Sequence, residues 1–138
     1  ELPMKNFAMY LKHFGYRVHV VGDVTCPAIK PGDVFFAVSG TGETNTTLNM
    51  VKKCREIGEI KVLLMTAAEK SSIGDLADLV LRVDCPLPGV PSTVSSIQPI
   101  GGLFDECVVY ALDWALRACL QERLGRRDGA GPMHSNLE

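Results

Sequence analysis

Apolar positions in this chain recur with two different periods, and the alternation between them lays out the architecture. Met4, Phe7, Ala8, Leu11 and Phe14 fall three or four residues apart, the spacing that lines one face of an α-helix. Gly15 follows directly, as a residue that ends helices. Arg17–Val21, Val34–Val38, Ile60–Thr66 and Leu79–Val83 are short β-prone runs. Three of them are nearly continuous in apolar character, as parallel strands covered on both faces are. A helical pattern from about Asn45 to Ile57 separates the second run from the third, and a shorter one from about Ser72 to Asp78 separates the third from the fourth. Strand and helix in alternation predict an α/β fold with a parallel sheet of four visible strands.

The pattern then changes. Residues 84–99 hold four prolines and several serines, which predicts a long surface loop. From Leu103, Phe104, Cys107, Val108, Ala111, Leu112, Ala115, Cys119 and Leu120 trace one broad apolar stripe, predicting the longest helix, to about Leu124. A stripe this wide has room to cover both the sheet and a neighbouring subunit. Residues 125–138 contain three glycines, a proline and charges and are expected to be disordered. The organisation expected is one domain over residues 1–124 and a C-terminal tail over 125–138.

Composition narrows the function classes. The chain has 138 residues, 46% of them hydrophobic, enough for one domain with a full core. A net charge of −2 offers no broad basic surface for nucleic acid. The longest apolar runs, such as Val62–Met65, fall far short of the roughly 18 residues of a membrane span, so no membrane partner is expected. Five cysteines, an odd number with no C-x-x-C pair, fit neither a disulfide framework nor a zinc knuckle. They read as reduced, mostly buried thiols of a cytoplasmic protein. Glu1 is not a natural start, so a targeting segment could already be absent.

The candidate chemistry lies where the run Asp33–Val38 empties into Ser39-Gly40-Thr41-Gly42-Glu43-Thr44 and a helical pattern begins. The first N–H groups of a helix have no internal partner and face the positive end of its dipole, so an anion is stabilised there. Gly40 and Gly42 allow close backbone approach, and Ser39, Thr41 and Thr44 add hydroxyl donors. The ligand this predicts is a small phosphorylated molecule. The loop lacks the third glycine of a dinucleotide fingerprint and the lysine of a Walker loop. The alternative is an ordinary strand-to-helix turn, with Ser39 or Thr44 capping backbone donors and Glu43 favoured by the dipole.

Ser39-Gly40-Thr41-Gly42-Glu43-Thr44 resembles the signature of sugar isomerase (SIS) domains, in which hydroxyls of this loop hold the phosphate of a phosphosugar. Phe7-Ala8-Met9, Leu11, His13-Phe14-Gly15-Tyr16, Val20-Val21-Gly22-Asp23 and Pro27-Ala28-Ile29 resemble the 6-phospho-3-hexuloisomerase branch of that family. So do Pro99-Ile100-Gly101-Gly102-Leu103-Phe104 and the ending His134-Ser135-Asn136-Leu137-Glu138. The resemblance implies a three-layer, doubly wound, flavodoxin-like sheet, a homo-dimer or homo-tetramer, and interconversion of 3-hexulose 6-phosphate and fructose 6-phosphate through a cis-enediol without metal or organic cofactor. It places the phosphate on Ser39, Gly40, Thr41, Gly42, Glu43 and Thr44. The branch carries a glutamate directly after the Leu-Phe pair as the proton acceptor; here that position is Asp105, with Glu106 next. His134 matches the histidine of the branch's ending, suited to ring opening or proton shuttling. Glu43 ranks third as a base, its place in the signature suiting it better to anchoring the loop.

For Asp105 and Glu106 the alternative role is helix N-terminal charge complementing the dipole. Members of the branch open with a strand and a Gly-Ser loop ahead of the first helix, and this chain begins at about that helix. The sheet is therefore expected to lack the usual first strand, between runs 17–21 and 34–38, together with a serine that touches substrate. The competing function is a non-catalytic phosphosugar sensor, which keeps the phosphate loop and needs no base. The chain has no helix-turn-helix candidate to make it such a regulator alone.

Overall fold

The computed structural model describes residues 2–125. They fall into two compact units, one made of Ala28–Cys107 and the other of the terminal stretches, up to Pro27 and from Val108 onward. The first unit holds the parallel sheet. Strands β1 (Val34–Val38), β2 (Lys61–Thr66) and β3 (Leu79–Arg82) lie in the order β1-β2-β3. The register runs from Val34 opposite Lys61 to Val38 opposite Met65, and from Leu63 opposite Leu79 to Thr66 opposite Arg82. All three strands point one way, so the loops leaving β1, β2 and β3 emerge at one end of the sheet, where open α/β sheets bind ligands.

The crossover from β1 to β2 is an α-helix, Asn45–Ile57. Its Val51 and Cys54, three residues apart on one face, are buried with Ala37, Ile60, Val62, Leu64 and Ile73 in a single apolar cluster. Gly58 ends it at φ 81° and donates its N–H to Cys54 O at 3.1 Å. Arg55, on the last turn, fastens this helix to the β2–β3 connection. Its Nε donates to Leu76 O (2.8 Å), its Nη1 to Ile60 O (3.1 Å), and its Nη2 pairs with Asp78 Oδ2 (2.8 Å). Asp78 Oδ2 also accepts the Val62 N–H at 2.7 Å, which ties the clasp to β2.

In the other unit, α-helix Leu2–His13 ends as its sequence predicts. Gly15 takes φ 91°, its N–H reaches Lys12 O (2.9 Å) and Tyr16 N–H reaches Leu11 O (3.0 Å), the paired bonds of a Schellman cap. Phe7 and Phe14 are buried, and the helix packs on Tyr110–Leu116. Arg117 stacks its guanidinium 4.3 Å over the Tyr10 ring.

Three predicted elements differ. Arg17–Val21 is irregular chain, although its residues alternate between exposed and half-buried. Alternation alone does not make a strand: its backbone groups need a ladder partner, and none of the described strands pairs with it. The sheet therefore has three strands, and β1 lies at its edge. The helix expected over 72–78 shrinks to one 3₁₀ turn, Gly74–Leu76, because residues 67–73 of the β2–β3 connection run as a loop bonded to residues 40–43, at Ala67, Ser72 and Ile73. The long helix starts at Gly102 and reaches Arg123, but Tyr110–Leu116 widens into π geometry between α-helical Gly102–Val109 and Arg117–Arg123.

The cysteines are free, and only Cys54 and Cys85 are buried; Cys26 and Cys107 are partly exposed and Cys119 is exposed. The expectation of mostly buried thiols holds for two of five. Burial pushes the Cys85 thiol up to about 11, helped by the neighbouring Cys107 thiol, which makes it a poor nucleophile. No helix among the described residues is long and apolar enough to cross a membrane.

Candidate functional site

The loop 39–44 leaves β1 and turns straight into the crossover helix. Ser39 N–H donates to Met65 O (3.0 Å), extending the β1–β2 ladder by one step, and the chain then folds back so that Gly42 N–H reaches both Ser39 O and Ser39 Oγ, each at 3.1 Å. Ser39 is buried, and its Oγ lies 2.9 Å from Thr44 Oγ1. One hydroxyl proton is used in that bond, leaving the other to donate to a ligand. Thr41 Oγ1 accepts the Glu43 N–H at 3.2 Å.

The two sequence readings of this loop now separate. Thr44 occupies the N-cap position, yet its side chain caps no backbone donor, because it is turned to Ser39. The first helical bond is Leu48 N–H to Thr44 O, so the N–H groups of Asn45, Thr46 and Thr47 have no partner inside the helix. Ser39 does satisfy a backbone donor, that of Gly42, but within the loop and not on the helix. An uncapped helix end beside two paired hydroxyls is an anion-binding arrangement.

Both glycines are required by contact. At Gly42, φ is 67° and an added Cβ would lie 2.1 Å from Ser71 Oγ; at Gly40 it would lie 2.6 Å from Leu87 Cδ1 and 3.4 Å from the Phe104 ring. The loop 67–73 is bolted to this one. Gly40 O accepts from Ala67 N–H (2.9 Å) and Thr66 Oγ1 (3.0 Å), Gly42 O accepts from Ile73 N–H (3.1 Å), and Glu43 Oε1 accepts from Ser72 N–H (2.7 Å). That last bond, with a further one from the Ser72 side chain, holds the Glu43 carboxyl below its ordinary value.

A cleft of about 700 Å³ opens between these loops, lined by Thr41 and Glu43, by Ala68–Lys70 and by residues 88–91. Its third wall is a turn, with Val90 N–H on Leu87 O at 3.0 Å and Gly89 at φ 75°. Leu87 is the wedge of this wall. Its two methyls sit where a Cβ on Gly40 and on Gly101 (φ 78°) would be, 2.6 and 2.4 Å away, so one leucine joins the hydroxyl loop to the start of helix 102–109.

Phe104 on that helix is buried against Gly40, and the next two residues, Asp105 and Glu106, are exposed. The structure thus brings the start of this helix to the hydroxyl loop through Phe104 and Leu87. His13 is the last residue of its helix and His19 lies in irregular chain, both in the other unit. His134 lies outside the described residues. No group of three or more His, Cys, Asp or Glu suited to a metal occurs among the described residues. Sequence reasoning missed Leu87, Ser71, Ser72 and Lys70. Leu87-Pro88-Gly89-Val90 did carry a signal, Pro then Gly at the centre of a turn; for Lys70, Ser71 and Ser72 there was none.

A loop of glycines and hydroxyls at the carboxyl end of a parallel strand, opening an uncapped helix, defines an α/β domain with the makings of an anion site. Residues 5–97 match the profile of the SIS domain, and the chain belongs to that family. It is 32% identical to a 3-hexulose-6-phosphate isomerase of Bacillus subtilis over 99% of this chain and 74% of the relative, and 32% identical to one of Methylomonas aminofaciens over 99% and 75%. Among solved structures it is similar, at a TM-score of 0.79 and 32% identity, to a hypothetical protein, covering 99% of this chain and 72% of that one. A hypothetical protein of Methanococcus jannaschii, whose crystal structure is described as inferring a molecular function of 3-hexulose-6-phosphate isomerase, matches with TM-score 0.78 and 25% identity over 99% and 72%.

Proposed function

We propose that this chain is a phosphosugar isomerase that interconverts 3-hexulose 6-phosphate and fructose 6-phosphate. The observation that carries the reading is the Ser39–Thr44 hydroxyl pair beside the uncapped helix at Asn45. In this reading the phosphate sits on Ser39, Gly40, Thr41, Gly42, Glu43 and Thr44, and the sugar extends into the cleft. A base takes the proton from C2 of the 3-hexulose, the cis-enediol forms, and the proton is returned to C3, leaving the carbonyl at C2. Asp105 or Glu106 is that base, one turn or less from the Phe104 that packs on the loop. His134 services ring opening and the sugar oxygens. Glu43 is the weakest candidate, because a carboxylate held in its charged form by Ser72 has little affinity for a proton. Its role is to anchor the loop.

The protein functions in the cytoplasm as a homo-dimer or homo-tetramer. Support for the assembly is the exposure of Tyr110 and Trp114, 61% and 65%, on the stretch whose apolar stripe was broad enough for two partners. Incubation with fructose 6-phosphate, following 3-hexulose 6-phosphate, tests the reaction; calorimetry tests the site. Ser39→Ala or Thr44→Ala removes a charge-assisted hydrogen bond and is expected to weaken fructose 6-phosphate binding by about tenfold or more. Unchanged affinity in both variants overturns the phosphate site. Binding without any turnover makes the chain a phosphosugar sensor.

A further inference from the structure

Five residues, 67–71, cross the floor of the cleft between two points stitched to the hydroxyl loop. At one end Ala67 N–H holds Gly40 O; at the other Ser72 N–H holds Glu43 Oε1 and Ile73 N–H holds Gly42 O. Lys70 sits inside this span, so its backbone position is set by the same bonds that shape the phosphate loop. Among the described residues it is the only basic one lining the cleft, whose other ionisable side chains are the carboxyls Glu43 and Glu69. Lys70 is exposed and makes no salt bridge among the described residues.

The electrostatic problem follows from that list. Glu43, itself part of the loop that is to receive a phosphate dianion, is held in its charged form by Ser72. The open helix end supplies only about half an elementary charge of opposite sign. An approaching phosphosugar therefore faces a carboxylate in the same cleft as the helix end. One ammonium on a four-carbon stem, fixed at its base and without a salt bridge among the described residues, offsets that repulsion and pairs with the ligand as a point charge.

We propose that Lys70 is the binding residue that captures the anionic end of the phosphosugar and carries it past Glu43 into the loop. The inference rests on the phosphosugar reading above and adds to it a residue outside the Ser39–Thr44 signature. Lys70 acts on association and affinity and takes no part in moving protons.

The test uses the full chain, with steady-state turnover of fructose 6-phosphate at several ionic strengths. Lys70→Gln is expected to raise KM about fivefold, the worth of one solvent-exposed ionic contact, with kcat within about twofold of the parent. The fall of kcat/KM with added salt should flatten in Lys70→Gln, stay parental in Lys70→Arg, and give way in Lys70→Glu to rates that rise with salt. Thermal melting should be unaltered in all three. A Lys70→Gln variant with parental KM and parental salt dependence overturns the proposal. If the parent binds without turnover, the same series is read as calorimetric Kd for fructose 6-phosphate: a fivefold loss supports the proposal, and parental Kd in the variants overturns it alone. A parent that neither binds nor turns over fructose 6-phosphate overturns both this proposal and the functional reading beneath it.

Discussion

The loop after β1 and the segment after β3 meet at one cleft but are built on opposite principles. Residues 39–44 are short, partly buried and held by hydrogen bonds at nearly every step, from within through Ser39 and Thr41 and from the neighbouring loop through Ala67, Ser72 and Ile73. Residues 84–101 are long and largely exposed; Ile97 and Ile100 are almost fully in solvent. The segment is held at separated points, by Asp84, which accepts the N–H and hydroxyl of Thr93, and by the Leu87 side chain between Gly40 and Gly101. In the proposed reading the first region binds the phosphate with hydroxyls and backbone N–H groups held in place by these bonds. The second leads into helix 102–109, which carries the proposed bases Asp105 and Glu106, and a single apolar residue, Leu87, packs between the start of that helix and the hydroxyl loop. Affinity and turnover should therefore fail separately.

The sharpest break of that comparison is at the carboxylates. Asp105→Asn and Glu106→Gln should differ, with only one collapsing kcat, by about 10²–10⁴-fold, while fructose 6-phosphate still raises the melting temperature. Full turnover in both variants would remove the base from this helix. Next comes Gly42→Ala, which forces a left-handed residue and a 2.1 Å contact with Ser71 Oγ. It should destabilise the chain by about 1–3 kcal/mol in urea unfolding and abolish binding with it.

Leu87→Ala is expected to cost somewhat less, about 1–2 kcal/mol, since the side chain is only partly buried. Its signature is functional. It should lower kcat more than it raises KM, because the phosphate loop keeps its own hydrogen bonds while the start of helix 102–109 loses its wedge. An equal effect on both would show that the two regions are not independent. The smallest effect lies away from the cleft. The Val62 N–H and the Arg55 guanidinium hold the Asp78 carboxyl below its ordinary value of 3.8. A lowered carboxylate stabilises the fold fully above that ordinary value, and the contribution is lost as the pH falls through the lower, folded one. Asp78→Asn should therefore flatten the acid limb of a melting-temperature profile and leave fructose 6-phosphate affinity at neutral pH unchanged.

Much of this was legible in one dimension. The helix ending at Gly15, strands 34–38 and 61–66, the crossover helix 45–57 and the hydroxyl loop all rest on local causes: a period, a cap, a glycine, a run of apolar β-formers. The expected strand 17–21 had its alternation but not its partner, and pairing is a property of two segments. Residues 102–123 showed their stripe, but not the π geometry of 110–116, which local pattern does not encode.

By itself, then, the sequence determined the parallel α/β order and the place of the hydroxyl loop proposed to bind the phosphate, because both follow from residues adjacent in the chain. Tertiary structure alone decided what faces that loop. Leu87 lies 47 residues from Gly40 and 14 from Gly101 by their numbers, yet its side chain packs on both; Lys70 lies 27 from Glu43, yet the two line one cleft. No spacing rule links such positions. They meet because parallel strands bring every strand's outgoing loop to one end of the sheet, where residues remote in sequence become neighbours.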